Sequence, residues 1–548
     1  MEAKPQAKKA TKGNNFLMQG SVLAVAGIIV RVIGLAYRIP LVNIVGREGM
    51  GYYSFAYSVY AVMLLLSSYS LPLAVSKMVS ARMSKTAYIN VNRIFKAAII
   101  YATAVGFIGC SITYFSADLF ADVLFKTPYT AFALKTLAPT IWVMAYLGVF
   151  RGYYQGHSTM IPTAVSQIIE QVVNAAVSIL AAQRLSQYAI DHQREASEVH
   201  SYGAAGGTIG TGAGALSALL LLILLYALYN RLYKYKAGLN AKTESYKEIT
   251  KILVMTVIPV IASTAIYNIN GIIDGAIFGN AMHILGRGAE TAGDYGIYAN
   301  EYMILINVPV AISNALSSSI IPVLSRYNAS NDNERIQHTV GSAIRFSMLI
   351  AMPCAVGLTV LGRPLLSLLF KGADISIELM QVGASAVVLY SLSTLSNAIL
   401  QGSSHMGVPV KNAVKALIIH VIILVLMLFV FKMGVYALVF ANMVFAFAMC
   451  IFNALSIKKL LEYVQEIDRT FIKPAFAALI MGTATFGVYM LLTRFTQSLL
   501  IICPVCMLAA FITYFPALIA LRTLEAQDLI RLPGGGRLVY LLERLKLM

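Results

Sequence analysis

The sequence predicts an all-α integral membrane protein of about fourteen transmembrane helices: two six-helix repeats with parallel topology, forming two bundles around a central cavity, plus a C-terminal helix pair. Three observations predict it. Of 548 residues, 58% are hydrophobic and only 12% charged, with a mean hydropathy of +0.73, which is too apolar for a body dissolved in water. Apolar windows of roughly twenty residues recur along the chain, each long enough to cross about 30 Å of hydrocarbon. Short motifs from the first half return in the second at a constant offset.

The windows fall near 17–42, 52–75, 94–115, 131–150, 162–182, 206–229 and 252–278, then near 295–321, 342–361, 380–400, 410–431, 435–455, 474–493 and 498–521. They divide the chain into a basic tail (1–15), a first six-helix bundle (16–230), a linker (231–251), a second bundle (252–456), a terminal hairpin (457–521) and a second tail (522–548). Lys and Arg alternate between the loops that this division creates. Of the 42, 30 collect on the side of the N-terminus and the even-numbered loops, 9 on the other side and 3 within or bordering spans. That bias puts both termini in the cytoplasm. The basic start runs into a long apolar window without a small-residue cleavage site, so it is read as the first span, not a removable signal. The net charge of +18 sits in short juxtamembrane loops beside an anionic leaflet, so it implies contact with membrane lipids and no nucleic acid.

The repeat is carried by three ordered matches. Gly51 with the residues to Tyr57 resembles Gly296 with the residues to Tyr302; Phe125 and Lys126 return as Phe370 and Lys371; Gln155 and Gly156, followed by Pro162, return as Gln401 and Gly402, followed by Pro409. The offsets are 245, 245 and 246 residues. An even number of spans returns the chain to its starting side, which gives the two repeats parallel topology.

Charges within the hydrocarbon cost about 2.5–3.5 kcal/mol each on the insertion scale, so each marks a candidate site. In the first span Gly20, Gly27 and Gly34 recur every seven residues, with Arg31 and Arg38 on the same stripe. Arginines beside glycines can fork onto phosphate oxygens; the alternative for Arg38 is snorkelling to the outer interface. The fifth span reads PTAVSQIIEQVVNAA and lines Gln167, Glu170, Gln171 and Asn174 along one face, as a cation or proton site or as a polar staple between helices. Tyr267, Asn270, Gly271 and Asp274 share a face of the seventh span. The eighth carries Glu301 with Asn300, Asn307 and Asn314, which serve as cavity lining or interhelical glue. Tyr53, Tyr57 and Tyr60 form an aromatic stripe that reads as core or as a stacking surface for sugars. By depth, Arg38, Asp274 and Glu301 all fall in the outer half, where Arg38 is expected to pair with one of the two carboxylates as a gate.

Enzyme chemistry finds no foothold. The sequence holds no P-loop, HExxH or GxSxG, and its seven histidines lie mostly in loops without ligand spacing. Five cysteines scatter through apolar segments; Cys503 and Cys506 have CxxC spacing but sit in a hydrophobic run, where packing is the expected role. No cofactor is expected, and energy would come from a proton or sodium gradient, the membrane potential or substrate flux.

Three stretches are familiar. RGYYQGHSTMIPTAVSQIIEQ (151–171), IPVIASTAIYNINGIIDG (258–275) and SSSIIPVLSR (317–326) resemble the stage V sporulation protein B group of polysaccharide flippases, within the multidrug/oligosaccharidyl-lipid/polysaccharide exporter superfamily. The resemblance runs over essentially the whole chain. RVIGLAYRIPLVNIVG (31–46) is also similar to the first helix of the lipid II flippases, where Arg31 and Gly34 match the pattern. Tyr37 stands where that family has a second Arg, Arg38 follows one residue later, and Asn174 stands where the group often has Arg.

The resemblance implies alternating access for an undecaprenyl-diphosphate-linked glycan in a bacterial cytoplasmic membrane, as a monomer alongside cell-wall synthesis enzymes. Arg31 and Arg38 would meet the pyrophosphate, and Glu170, Asp274 and Glu301 would couple an ion or proton. A cation-coupled multidrug antiporter is the second reading and a non-transporting scaffold the third. A cationic cargo favours an acidic cavity, whereas the arginines favour a phosphate.

Overall fold

The computed structural model describes residues 7–232, 243–521 and 523, which contain helices and turns and no strand. The chain divides into two compact units, Met1–Gly296 and Ile297–Met548. The first holds α1 (Ala7–Leu64), α2 (Leu71–Met83), α3 (Tyr88–Phe115), α4 (Ala117–Leu119), α5 (Thr130–Gly156), α6 (Ile161–Asp191), α7 (Ala196–Leu232), α8 (Tyr246–Ile284) and most of α9 (Thr291–Ile297). The second holds α10 (Met303–Ala329), α11 (Asn333–Leu369), α12 (Asp374–Gly383), α13 (Ala386–Gly402), α14 (Gly407–Phe429), α15 (Val435–Leu461), α16 (Lys473–Phe495) and α17 (Leu499–Ala520).

Among the described residues eleven helical stretches are long and apolar enough to cross a membrane, or twelve if α12 and α13, bent by 55°, form one span. The sequence offers fourteen windows, and the difference has identifiable sources. The windows 17–42 and 52–75 fall in one continuous stretch, while 252–278 falls in α8, part of whose side chains lie outside the described residues. A straight 58-residue helix would run about 87 Å, far beyond one bilayer crossing. Gly46 breaks it: φ 77° and ψ 169° is a backbone region that essentially only glycine enters. The carbonyl of Val45, freed at that break, accepts a hydrogen bond from His200 Nδ1 at 2.8 Å, so α7 caps the bend in α1.

Glycines set how closely the helices approach. A Cβ on Gly51 would stand 1.8 Å from the Ala292 carbonyl oxygen, and one on Gly296 would stand 2.0 Å from the Arg47 carbonyl oxygen. The contact is reciprocal at the repeat's own offset, since Arg47 and Ala292, like Gly51 and Gly296, are 245 residues apart. A second pairing occurs once in each unit. A Cβ on Gly156 would meet Val79 Cβ at 2.6 Å and the Ser76 carbonyl oxygen at 3.1 Å, and one on Gly402 would meet Leu324 Cβ and the Ile321 carbonyl oxygen, both at 3.1 Å.

The sequence assigned the seventh span to the second bundle. Here α8 packs on α1, α2 and α3 of the first unit, where a Cβ on Gly279 would stand 2.1 Å from the Phe125 carbonyl oxygen. The chain entering α8 is clamped as well. Glu244 accepts from Arg82 Nε and Nη2 at 3.0 and 2.8 Å, and its carbonyl accepts from Arg93 Nη1 at 2.6 Å.

Gly51→Val places branched carbons where backbone already sits, and overpacking of this kind costs about 1–3 kcal/mol. The expected result is a lower thermal unfolding temperature in detergent. Gly293→Ala, where a Cβ meets nothing within 4 Å, should unfold like the parent.

Candidate functional site

The site in the first unit is built on α6, whose helical period places Gln167, Glu170, Gln171 and Asn174 on one side. The neighbouring helix fixes that side. In α7, Gly206, Gly210 and Gly214 recur every four residues, and Cβ atoms there would stand 2.5 Å from the Ala182 backbone, 2.5 Å from Ser178 N and 2.4 Å from the Glu170 carbonyl oxygen. This stripe of small residues lets two backbones lie against each other, as apolar surroundings require. Sequence reasoning missed it, although the spacing is plain in GAAGGTIGTGAG (203–214).

Held this way, Asn174 donates from Nδ2 to the Tyr37 hydroxyl at 3.4 Å and accepts from Ser178 Oγ at 2.9 Å. Glu170 is paired: Arg151 Nη2 on α5 lies 2.5 Å from its Oε2, and Arg151 Nε donates to Ser166 Oγ at 3.1 Å. Arg151 is the partner of Glu170 that sequence reading passed over. The fourth window ends at 150, which made Arg151 a loop residue, whereas α5 continues to Gly156 and folds it inward.

Arg38 lies among tyrosines. Its guanidinium sits 5.9 Å from the Tyr53 ring centroid and within electrostatic reach of Tyr37. Tyr53 stacks on Tyr57 at 5.8 Å, and Tyr57 meets Tyr60 at 5.4 Å. Glu170 is within electrostatic reach of Tyr57 and Tyr60. One polar cluster therefore joins Tyr37, Arg38, Tyr53, Tyr57, Arg151, Glu170 and Asn174 from α1, α5 and α6. Gln171 packs against Gly34, Gln167 is half-buried, and Arg31 is exposed on α1 two turns before Arg38.

Of the remaining candidates, Asp274 belongs to α8 of the first unit, and Asn300, Glu301 and Asn307 belong to the second unit. Asp274 on α8 is 4% exposed and accepts from Asn270 Nδ2 at 3.3 Å, near Tyr295, whose ring stacks on Phe55 at 4.1 Å. Tyr267 falls among the side chains outside the described residues. In the second unit, Asn300 and Glu301 are each 1% exposed within the π-helical turn Tyr298–Tyr302, and Asn307 is exposed. That unit also holds an amide network the sequence did not reveal: Asn453 donates to Ser396 at 2.9 Å and to Asn397 at 2.7 Å, and accepts from Asn412 at 2.9 Å. Cys503 and Cys506 are free, buried thiols. Among the described residues no group of three or more His, Cys, Asp or Glu is placed to hold a metal.

A double-mutant cycle tests the Arg151–Glu170 pair. Arg151→Ala leaves a carboxylate without its counter-charge, so adding Glu170→Gln should recover part of the lost thermal stability, a coupling of about 0.5–3 kcal/mol. Strictly additive losses would show that the two charges do not depend on each other.

The chain is 24% identical over 401 residues to the stage V sporulation protein B of Bacillus subtilis (strain 168), covering 73% of this chain and 75% of that protein. It is 26% identical over 432 residues to the lipid II flippase MurJ of the same organism, covering 74% and 76%. The fold matches a lipid II flippase MurJ in an inward closed conformation with a TM-score of 0.65 at 15% identity, over 93% of this chain and 99% of that one. It also matches an inward-facing multidrug resistance MATE family transporter, with a TM-score of 0.61 at 14% identity, over 79% and 95%. These likenesses and the apolar helices make it a multi-pass membrane protein. With residues 16–328 matched, the chain belongs to the polysaccharide biosynthesis protein family.

Proposed function

We propose that the protein moves a lipid-linked, diphosphate-bearing cell-wall or polysaccharide precursor across the bacterial cytoplasmic membrane by alternating access, with both termini cytoplasmic. The observation that carries this reading is the guanidinium of Arg38, placed over the Tyr53 ring beside Tyr57. An arginine in that setting is suited to a phosphate oxygen, and the tyrosine faces beside it are suited to sugar rings. The name of the Bacillus subtilis relative lipid II flippase MurJ supports the same cargo class. Arg31, exposed on the same helix, is assigned to the second contact with the pyrophosphate. Gln167, Gln171, Asn174, Asn270, Asn300 and Asn307 are assigned to the lining, and Glu170, Asp274 and Glu301 to coupling with a proton, sodium or the membrane potential.

The second reading, a cation-coupled multidrug antiporter, draws on the likeness to the MATE transporter. An organic cation gains nothing from a guanidinium, so the cluster favours the first reading. A labelled lipid II flipping assay in proteoliposomes, run beside cationic-dye efflux on the same preparation, separates the two. Dye efflux without flipping overturns the proposal.

Arg38→Ala and Arg31→Ala, each at parental expression and thermal stability, should lower flipping at least tenfold, the scale of one lost charge-assisted contact. Full activity in either variant removes that residue from the phosphate site. Flipping by Glu170→Gln should lose its dependence on pH, because a carboxylate that takes up protons during the cycle is absent. An unchanged pH profile reduces Glu170 to a structural role.

A further inference from the structure

Arg151 and Glu170 lie 2.5 Å apart across the α5–α6 seam, yet their side chains keep 11% and 24% of their exposure. The pair is thus tight without being sealed. Its bonding is also incomplete among the described residues: Arg151 uses Nε on Ser166 and Nη2 on Glu170, and Glu170 accepts only through Oε2. One guanidinium nitrogen and one carboxylate oxygen remain for another partner.

Ser166 explains how the guanidinium is oriented. Its hydroxyl donates to the Thr163 carbonyl at 2.8 Å and accepts from Arg151 Nε, which fixes the guanidinium plane, with Nη2 on Glu170 and Nη1 without a partner among the described residues. The backbone under Glu170 cannot retreat, because Gly214 of α7 lies against its carbonyl. The Glu170 side chain can leave the fork only by rotating, and Tyr57 and Tyr60 lie within its electrostatic reach. A phosphate oxygen can take the place of the carboxylate oxygen on such a guanidinium, and the phosphate brings more charge.

We propose that Glu170 is a resident stand-in for phosphate on Arg151: the carboxylate holds the guanidinium in the empty protein, and an incoming phosphate group displaces it. Arg151 is then a further anion subsite, beyond Arg31 and Arg38, and the ion pair sets the affinity that a phosphate must exceed to enter. The inference rests on the reading that the cargo carries a diphosphate, but its test needs no transport.

The probe is inorganic pyrophosphate, titrated calorimetrically into the purified full-length protein. Glu170→Gln removes the charged competitor and should tighten binding by about tenfold, as expected when a self-occupied site is vacated. Arg151→Lys keeps the charge but not the fork and should weaken binding, and Arg151→Gln with Glu170→Gln should erase the gain. Because Arg151→Gln, which removes the buried charge, risks misfolding, Glu170→Gln and the charge-keeping Arg151→Lys carry the test, each checked by thermal unfolding. Unchanged pyrophosphate affinity in Glu170→Gln, or a gain that survives in the double variant, overturns the proposal. The two readings fail separately. Glu170-dependent pyrophosphate binding without lipid II flipping defeats the proposed function alone, and flipping with pyrophosphate affinity indifferent to Glu170 defeats this subsite alone.

Discussion

A charged side chain inside hydrocarbon has to be answered by protein, and in the first unit that demand organises everything around α6. Water answers charges for free at a surface; a bilayer answers none. Arg151 and Glu170 answer each other, Ser166 holds the guanidinium plane, and Asn174 reaches Tyr37. Each of these contacts needs α6 at a fixed distance from α1, α5 and α7, so the packing of the bundle and the electrostatics of the site are one problem.

Glycine solves the packing half. Lipid tails are as apolar as leucine, so burying leucine gives helices little reason to associate in a membrane, and close approach of backbones takes over that role. The α7 stripe at Gly206, Gly210 and Gly214 seats α6, and Gly51 and Gly296 let α1 and α9 meet through their carbonyls. The break at Gly46 belongs to the same economy of backbone groups. Turning the chain freed the carbonyl of Val45, and His200 from α7 closes that account.

Much of this was legible in sequence, and for stated reasons. Apolar windows follow from hydrocarbon thickness, so an all-helical membrane protein could be read directly, and the glycines of the repeat mark places where a Cβ has no room. The face of α6 was legible because helical period alone puts Gln167, Glu170, Gln171 and Asn174 together. What stayed hidden depends on partners distant in sequence. Arg151 looked like a loop residue because hydropathy falls at a charge whether the helix ends there or not. The place of α8 in the first unit is set by contacts with α1 to α3 that no window contains. Arg38 read as a snorkelling or gating residue from its depth, while its described neighbours are Tyr37, Tyr53 and Tyr57, brought to it by the bend in α1.

The balance of charge in the cluster bears on how a membrane protein can keep an anion site ready without cargo. Two bare guanidiniums in a low-dielectric bundle repel each other and lose hydration, so a preformed site of Arg38 and Arg151 alone would be costly to fold. The tyrosines around Arg38 reduce that cost through ring faces and a hydroxyl, without opposing charge, and leave it available. Glu170 reduces it for Arg151 through opposite charge, which stabilises more but must be moved aside before a phosphate can bind. On the proposed reading, a site with one open cation and one guarded cation has a built-in order: a diphosphate would meet the tyrosine-held arginine first, and only an anion strong enough to outcompete a carboxylate would engage the second. Under that proposal, selectivity for doubly charged phosphate over monovalent anions would follow from the counter-charge that already neutralises Arg151 in the folded bundle.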